Sequence, residues 1–501
     1  MLPDSETFSC AFLGFRGGLI CLLLLLALAI TILTACTSND EGIQPYTSAN
    51  DEVYQQYELS YQDEHPAEDP DYGDTPAYEA PSEDDNAQQS NDNSIEEDNT
   101  VTEPREPGWD LTLPSLADAF APYFMFGNIY STTTRMDIGD TRAAFLHHFN
   151  AVTAENWHKP DHVAPSGFTR PAAEDYNFDR ADAIVAWAIE NDLTLIGHTL
   201  VWHSQSPAWL TQTWPNVFVT REEARANMEF HIRTVSEHFT AMGTIDYFHS
   251  WDVLNEAIAS SGGNWSGNIN DWNSGNWRSQ MREDSPWFQA YANGYDASVG
   301  EHPSDFVYDA FVFARRYFPN SILYYNDYNE EIPAKRNAIG QMVEQINQQW
   351  AHDFDNNPEA VPVGEEYTGR LLIEGIGMQS HYHLDQWRTN LNNVRTALER
   401  FVATGAIISI TELDITIGGQ GGNHPDTLPS PLDRESQLRQ AEAIERLFGY
   451  YLEFAEHIER VTVWGKADPH SWRAWGHPLL FDENYHAKEA FYAVLRSLDG
   501  R

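Results

Sequence analysis

Two glutamates in this sequence each follow a short apolar run that resembles a buried strand. Glu256 comes after the run at residues 251–254, and Glu412 closes the run at residues 407–412. A carboxylate at such a place is costly unless neighbours or a ligand hold it. Paired carboxyl groups can break a glycosidic bond, because one donates a proton to the leaving oxygen while the other attacks or activates water. Glu256 and Glu412 are therefore candidate catalytic residues, if the fold brings them together.

Polar and aromatic side chains interrupt most of the other strand-like runs at their carboxyl ends. Amide, imidazole and ammonium groups can hydrogen-bond sugar hydroxyls, and aromatic rings offer flat apolar faces on which sugar rings stack. These candidate binding residues are Glu155, Asn156, Lys159, His198, Trp202, Gln205, Asn255, Tyr328, Gln379, His381, Trp464 and Trp472. His203 lies among them, but we interpret it as structural. The chain has no His-Glu-x-x-His motif and no Cys/His cluster, so we expect no metal and no cofactor.

Eight strand-like runs alternate with helical segments, and this alternation predicts an α/β fold of the (β/α)8 TIM-barrel type. A doubly wound sheet is the alternative, but its glycine-rich phosphate-binding turn is missing. The carboxyl ends of all barrel strands meet at one mouth, which would gather the candidate residues around a single cleft. The predicted strands span residues 125–129, 151–155, 193–201, 248–255, 322–326, 375–380, 407–412 and 460–464.

Three helices have recognisable sequence signals. Thr220 and Glu223 form a predicted capping box that opens a helix with Ile232, Val235 and Phe239 on one face. A second helix is predicted at residues 391–404, where Gly405 ends it as a C-cap. A third, at residues 436–457, is long and periodic. Each follows a predicted strand or precedes one, as the barrel requires.

Seven segments resemble those of glycoside hydrolase family 10 and occur in the order found there. They read FNAVTAENWHKPD, GHTLVWHSQSPAWL, WDVLNEA, LYYNDYN, IEGIGMQSHY, ITELDI and VTVWGKADPHSW. The resemblance covers about residues 115–498. It implies a retaining endo-1,4-β-xylanase that hydrolyses internal bonds of xylan by double displacement. Xylan and xylo-oligosaccharides are therefore the expected ligands.

The resemblance also implies individual roles. Glu256 would be the general acid/base, Glu412 the nucleophile, and Asn255 the residue that holds the sugar 2-hydroxyl. His198 and His381 would lie around the nucleophile and that sugar. Glu155, Asn156 and Lys159 would grip glycon-side xylose, with Gln205 and Gln379 adding hydrogen bonds. Trp202, Trp464 and Trp472 would be aromatic walls of the glycon side, and Tyr328 an aglycon contact. We expect Glu256 to be protonated and Glu412 ionised near neutral pH.

Two other functions compete with this one. The first is a β-1,4-glucanase or mixed-specificity barrel glycosidase, because related barrel families share the Asn-Glu and Glu arrangement. The second is a catalytically inactive glycan-binding surface lipoprotein. The presence of both glutamates with their polar neighbours argues against an inactive binder, since binding alone does not need such a pair.

The segment before the predicted barrel differs sharply in composition from the rest. Residues 37–104 contain 20 Asp and Glu but no Lys or Arg. Such a stretch cannot bury enough apolar surface to offset the entropy of ordering, so residues 36–108 are predicted to be a disordered acidic tether. The folded catalytic domain is predicted to span residues 109–501. The net charge of -47 excludes an electrostatic nucleic-acid binder.

All three cysteines lie within the first 36 residues, so no disulfide is expected in the folded domain. Residues 19–33 are apolar, the right length for the core of a signal peptide. They lead into Leu33-Thr34-Ala35-Cys36, which resembles a bacterial lipobox. We predict a lipoprotein signal peptide at residues 1–35 and lipidation of Cys36, with an uncleaved anchor or an ordinary signal peptide as alternatives. The protein would then be extracytoplasmic, monomeric, and attached to the envelope only through this lipid (at the outer membrane in a Gram-negative host), or secreted.

Two connections are longer than a barrel needs. Residues 260–280 are rich in Gly, Asn and Ser, with Trp265, Trp272 and Trp277 interleaved. This segment either extends the aglycon side of the cleft or caps the barrel with its tryptophans packed inward, and the sequence favours neither. No role is assigned to the loop at residues 418–431.

Overall fold

A computed structural model describes residues 108–131, 136–137, 139–263, 265–356, 369–384, 391–417 and 432–499. Three predictions lie outside these residues: the signal peptide at 1–35 with Cys36, the acidic tether up to residue 107, and the loop at 418–431. In the described part of the chain, no helix is both long enough and apolar enough to cross a membrane.

Eight parallel strands form a closed ring. Each strand pairs with the next along the chain, and β8 pairs with both β7 and β1, which closes the barrel. The strands are β1 (Met125–Tyr130), β2 (Ala151–Ala154), β3 (Thr194–Trp202), β4 (Phe248–Asn255), β5 (Ile322–Asp327), β6 (Gly375–Met378), β7 (Ile407–Thr416) and β8 (Ile458–Val463). The α/β barrel prediction is confirmed.

One main helix follows each strand of the barrel. These are α1 (Gly139–His148), α2 (Asp179–Glu190), α3 (Arg221–Ala241), α4 (Phe306–Tyr317), α5 (Pro333–Asn356), α6 (Leu391–Val402), α7 (Arg434–Glu453) and α8 (Glu489–Arg496). Shorter helices lie at Leu116–Phe120, Pro160–Val163 and Pro286–Ala292. A two-residue turn joins the strands Gln212–Trp214 and Val217–Phe218 into a hairpin. A short strand at His381–His383 pairs with β7.

The predicted capping box forms at the start of α3. The Thr220 side chain accepts a hydrogen bond from the Glu223 amide, and the Glu223 carboxylate accepts one from the Thr220 amide. Ile232, Val235 and Phe239 are buried on one face, as their spacing predicted. Together these contacts satisfy orphan backbone groups and fix the helix against the barrel.

The prediction that β7 ends at Glu412 is wrong. The strand continues to Thr416, with Leu413 and Ile415 buried. Its pairing with β8 shifts register between Ile410 and Leu413, so Glu412 lies in an irregularity inside the strand. Such a bulge re-aims a side chain without ending the strand, and a polar residue within it is easily mistaken for a terminus.

Close packing between neighbouring strands is clearest at Gly197 of β3. It pairs with Trp251 of β4, and a Cβ added at Gly197 would lie 2.2 Å from the indole ring. Trp251 is fully buried and its ring stacks on Phe248. Any side chain at Gly197 would displace this indole, so the glycine is required for the rigid base of β4, which carries Asn255.

The tryptophan-containing segment at 260–280 packs on α5 and α6. Trp277 is buried, and its amide and indole N–H donate to Gln341 and Gln345 of α5, each at 2.8 Å. The guanidinium of Arg400 in α6 lies over the ring of Trp272. Trp265 also packs against the hydrophobic core. These contacts match the capping alternative.

The first described residues are fastened beside the connection between β8 and α8. The Gly108 amide donates to the Asn484 carbonyl at 3.0 Å. The Trp109 ring stacks on Tyr485, and its indole N–H donates to Thr141 at the start of α1. Connections after strands and starts of helices both lie on the face where the strand carboxyl ends emerge. The chain therefore enters the barrel on that face.

Candidate active site

The carboxyl group of Glu256 is buried directly after β4 and is surrounded by hydrogen-bond donors. Trp202 Nε1 donates to Oε2 at 3.0 Å, and Gln379 Nε2 donates to Oε1 at 2.9 Å. Burial raises the pKa of Glu256 above its ordinary value, although the Arg282 guanidinium opposes the shift. Its protonated form is thus favoured, which suits a general acid.

Glu412 has the opposite electrostatic environment. Its Oε1 accepts a hydrogen bond from Asn326 at 2.7 Å, and its Oε2 lies 3.2 Å from His381 Nε2. Burial alone would raise the pKa of Glu412, but His381 and the nearby His198 outweigh it and hold this pKa below its ordinary value. An ionised carboxylate held in this way is available for nucleophilic attack.

His381 is itself held by a second carboxylate. Its Nδ1 lies 3.1 Å from Asp414 Oδ2, while Asp414 also pairs with Arg473 and accepts a hydrogen bond from Trp472 at 2.9 Å. Burial would lower the pKa of His381, but Asp414 and Glu412 raise it to about 9. The imidazolium therefore stays charged near neutral pH and stabilises ionised Glu412.

A short chain of hydrogen bonds joins the two glutamates. Asn326 Nδ2 donates to Glu412 Oε1 and, at 3.0 Å, to Asn255 Oδ1. Asn255 Nδ2 in turn lies 3.2 Å from Glu256 Oε1. β4 and β7 thus deliver both carboxyl groups to one place, which the strand alternation predicted. The opposite pKa shifts are those of a proton donor and an ionised partner.

A second group of predicted residues clusters around the ammonium group of Lys159. Lys159 Nζ donates to Asn156 Oδ1 at 2.9 Å and to Gln205 Oε1 at 2.6 Å, and it lies 4.9 Å from the centre of the Trp202 ring. Burial lowers the pKa of Lys159, and the negative charges of Glu412 and Glu155 only partly offset this shift. The residues expected to grip glycon-side xylose are therefore brought together beside the carboxylate pair.

The remaining predicted residues line the same mouth. His198 Nδ1 lies 3.0 Å from Asp252, and its ring meets the buried Trp464 edge-on at 5.6 Å. Trp472 meets His381 edge-on at 4.9 Å. The predicted binding residues thus lie near the two glutamates or are linked to them by contacts through Lys159, His198 or His381. Their individual roles remain predictions.

Tyr328, which is predicted to be an aglycon contact, is almost completely buried. Only 2 % of it is exposed, its hydroxyl accepts a hydrogen bond from Arg282 at 2.7 Å, and the Lys335 ammonium lies 3.9 Å from its ring centre. Lys335 also pairs with Asp327 at 2.8 Å. These cations form a buried support behind Glu256.

Several strand-to-helix connections contain non-glycine residues with left-handed backbone. They are Gln205 (φ 37°), Glu256 (φ 58°), Asn329 (φ 54°) and Ser380 (φ 61°), which follow β3, β4, β5 and β6. Such conformations cost about 1–3 kcal/mol each and persist only where surrounding contacts hold them. At Glu256 the backbone carbonyl accepts a hydrogen bond from Arg282 Nε at 3.2 Å. Strain is therefore concentrated at the mouth of the barrel.

Sequence reasoning missed several residues of this site. Asp414 lies two positions after Glu412, on the same side of β7, so strand periodicity could have identified it. Arg282 has no such signal, because the fold brings it to Glu256 from 26 positions away. His203, interpreted as structural, lies 3.9 Å from Glu256. Burial lowers the pKa of His203 well below its ordinary value, so this imidazole is neutral beside the acid.

Comparisons with known proteins agree over most of the chain. The family model described as Glycosyl hydrolase family 10 matches residues 115–497. The endo-1,4-beta-xylanase of Geobacillus stearothermophilus is 32% identical over 393 residues, which cover 77% of this chain and 98% of that protein. Endo-1,4-beta-xylanase B of Paenibacillus barcinonensis is 29% identical over 392 residues, covering 76% and 98%.

A solved structure shows the same fold. The crystal structure of a GH10 xylanase from termite gut that contains a bacterial Ig-like domain is similar to this chain with a TM-score of 0.61 and 34% identity. The similarity covers 78% of this chain and 79% of that one.

Proposed function

The chain belongs to glycosyl hydrolase family 10, and from this membership and its carboxylate pair we propose that it is a retaining endo-1,4-β-xylanase. It is a glycoside hydrolase of xylan degradation that acts on internal β-1,4 bonds. The observation that carries the proposal is the linked pair of Glu256 and Glu412, whose pKa values are shifted in opposite directions. Xylan and xylo-oligosaccharides are its ligands.

The geometry supports a double displacement. Glu412 attacks the anomeric carbon and forms a covalent glycosyl ester, while Glu256 gives its proton to the departing glycosidic oxygen. Glu256 then takes a proton from water, whose oxygen attacks the same carbon and releases Glu412. A double displacement of this kind predicts a separation of about 5–5.5 Å between the two carboxyl groups. A larger gap would admit water in the first step.

The test compares wild type with Glu412→Gln on arabinoxylan, glucuronoxylan and carboxymethylcellulose. Wild type should release reducing ends from the xylans, and the variant should lose about 10⁴-fold or more in kcat. Glu374→Gln is the matched control, because Glu374 is a paired glutamate immediately before β6, at the opposite end of the barrel. Near-normal xylan hydrolysis by Glu412→Gln would overturn the nucleophile assignment. Faster hydrolysis of carboxymethylcellulose would make the enzyme a glucanase.

We also propose that the enzyme acts as a monomer outside the cytoplasm, held by a lipid on Cys36. The apolar run at 19–33, the Leu-Thr-Ala-Cys sequence and the acidic stretch that follows support this proposal. In a bacterial host fed labelled palmitate, wild type and Cys21→Ser should carry the label and fractionate with membranes. Cys36→Ser should do neither. Unlabelled wild type in the soluble fraction would contradict the lipid anchor.

A further inference from the structure

One exposed tryptophan stands at the edge of the mouth, away from the carboxylates. Trp214 lies at the end of the hairpin strand Gln212–Trp214 and is 67% exposed, the only tryptophan among the described residues left exposed. The ring of Phe168 lies beside it, with 5.9 Å between ring centres and a tilt of 30°. A single exposed apolar residue is ordinary, but two adjacent aromatic rings at a cleft form a small apolar patch, and such patches often mark binding sites.

The two rings come from the connections that already carry the glycon-side residues. Phe168 lies between β2 and α2, downstream of Lys159, and Trp214 lies between β3 and α3, downstream of Gln205. Backbone bonds tie these connections together: the Asp161 amide donates to the Gln205 carbonyl, and the Trp209 amide donates to the Gly167 carbonyl. The aromatic pair therefore sits on the same side of the mouth as the Lys159 cluster.

Hydrogen bonds within the hairpin and at its base fix the backbone position of Trp214. Trp214 pairs with Val217 across the turn, where Asn216 adopts φ 60° and its amide donates to Gln212 Oε1 at 3.0 Å. At the base of the hairpin, Asn293 Nδ2 donates to the Phe218 carbonyl at 3.0 Å. Because the hairpin is already ordered, little conformational entropy is lost when a ligand stacks on the Trp214 ring.

The chemistry around the rings indicates a neutral ligand. Residues 203–219 contain no Asp, Glu, Lys or Arg, and neither do residues 163–169, in a chain of which 21% is charged. Well-behaved protein surfaces carry about 25–35 % Lys, Arg, Glu and Asp. An uncharged surface with two neighbouring aromatic rings and small hydroxyl and amide groups suits the apolar faces and hydroxyls of a neutral sugar chain.

We propose that Trp214, with Phe168 beside it, forms an outer glycon-side binding site for the neutral β-1,4-xylan backbone. The inference rests on the proposed function and extends it: a polymer that passes the Lys159 cluster continues over these rings. The site increases affinity for long chains and leaves the chemistry at Glu256 and Glu412 unchanged. Short substrates that end within the inner cleft do not reach it.

The test uses the full chain as wild type, Trp214→Ala and Tyr247→Ala. Tyr247 is the matched control, because it is 53% exposed but immediately precedes β4, at the opposite end of the barrel. With an aryl xylobioside, all three should have the same kcat/KM. With long xylan, Trp214→Ala should lose about threefold to tenfold in kcat/KM, mainly through KM, and Tyr247→Ala should be unchanged. Equal kinetics of Trp214→Ala and wild type on long xylan would overturn the site.

A binding measurement separates failure of this site from failure of the proposed function. The three proteins are compared in a Glu412→Gln background for retention on insoluble xylan, so that hydrolysis does not interfere. Weaker retention of only the Trp214→Ala protein supports the site even if wild type cleaves no xylan. Equal retention of all three, or retention of none, rejects the site whatever the hydrolytic activity.

Discussion

His381 lies between two carboxylates, Glu412 on one ring nitrogen and Asp414 on the other. Asp414 keeps the imidazole charged, and the charged imidazole keeps Glu412 ionised. The Asp414 side chain is fully buried, so we interpret it as a positioning residue that acts through His381. Its influence should appear in the pH dependence of the reaction.

Replacing Asp414 by Asn should move the acidic limb of the kcat/KM profile on an aryl xylobioside to higher pH. Without the negative charge, the pKa of His381 falls from about 9, so the imidazole is neutral over more of the assay range. A neutral imidazole no longer favours ionised Glu412, whose pKa therefore rises. More of the nucleophile is then protonated at low pH. The measurement is kcat/KM as a function of pH, which reports on the free enzyme.

Asp468→Asn provides the control for loss of a buried, paired carboxylate. Asp468 pairs with Lys488 at 2.8 Å, whereas the partners of Glu412 are Asn326 and His381. This variant should keep the acidic limb in place even if its melting temperature falls. If Asp414→Asn lowers the melting temperature but leaves the limb unmoved, Asp414 serves the fold only.

Single residues differ in how well the sequence identified them. The pair of glutamates could be predicted because a carboxylate after an apolar run is chemically conspicuous. Arg282 could not, since an isolated arginine in a polar segment looks like any solvated side chain. Only the fold shows that it holds both the Glu256 carbonyl and the Tyr328 hydroxyl.

Among the elements, the strands of the barrel were predicted to within a few residues, because apolar β-rich runs bounded by polar residues have a strong period. The error at β7 has a physical cause. The register shift at Glu412 places a polar residue inside the strand, where the sequence pattern suggests an end. The left-handed backbone at Glu256 could not be predicted from the sequence either, because glycine or asparagine usually occupies that conformation.

The segment at 260–280 should act as a structural cap. Trp277→Ala should lower the free energy of unfolding by about 3–5 kcal/mol, the usual cost of removing a buried tryptophan. Kinetics on long xylan and on an aryl xylobioside should change together. Denaturant unfolding, with exposed Trp214→Ala as the control, measures the loss. Unchanged stability combined with a loss confined to long xylan would instead favour a role in the cleft.

At the scale of the whole molecule, the alternation of eight strands with helices was enough to predict the closed barrel, but the register of the closing strands needed the structure. The pairing of β8 with β1 and β7 decides which strand ends face each other across the mouth. The packing of residues 260–280 could not be predicted either. Its glycines and asparagines have no period, and its tryptophans suit both a cap and a sugar platform.

The docking of Gly108 and Trp109 beside the connection between β8 and α8 has a practical consequence for immobilised enzyme. A support coupled to the barrel at Gly108 would stand next to the mouth and obstruct long polymers. α8 runs away from that face, so a support coupled beyond Arg496 would lie behind the barrel and leave the mouth turned outward. Coupling through α8 is therefore expected to keep the mouth of the barrel accessible to insoluble xylan.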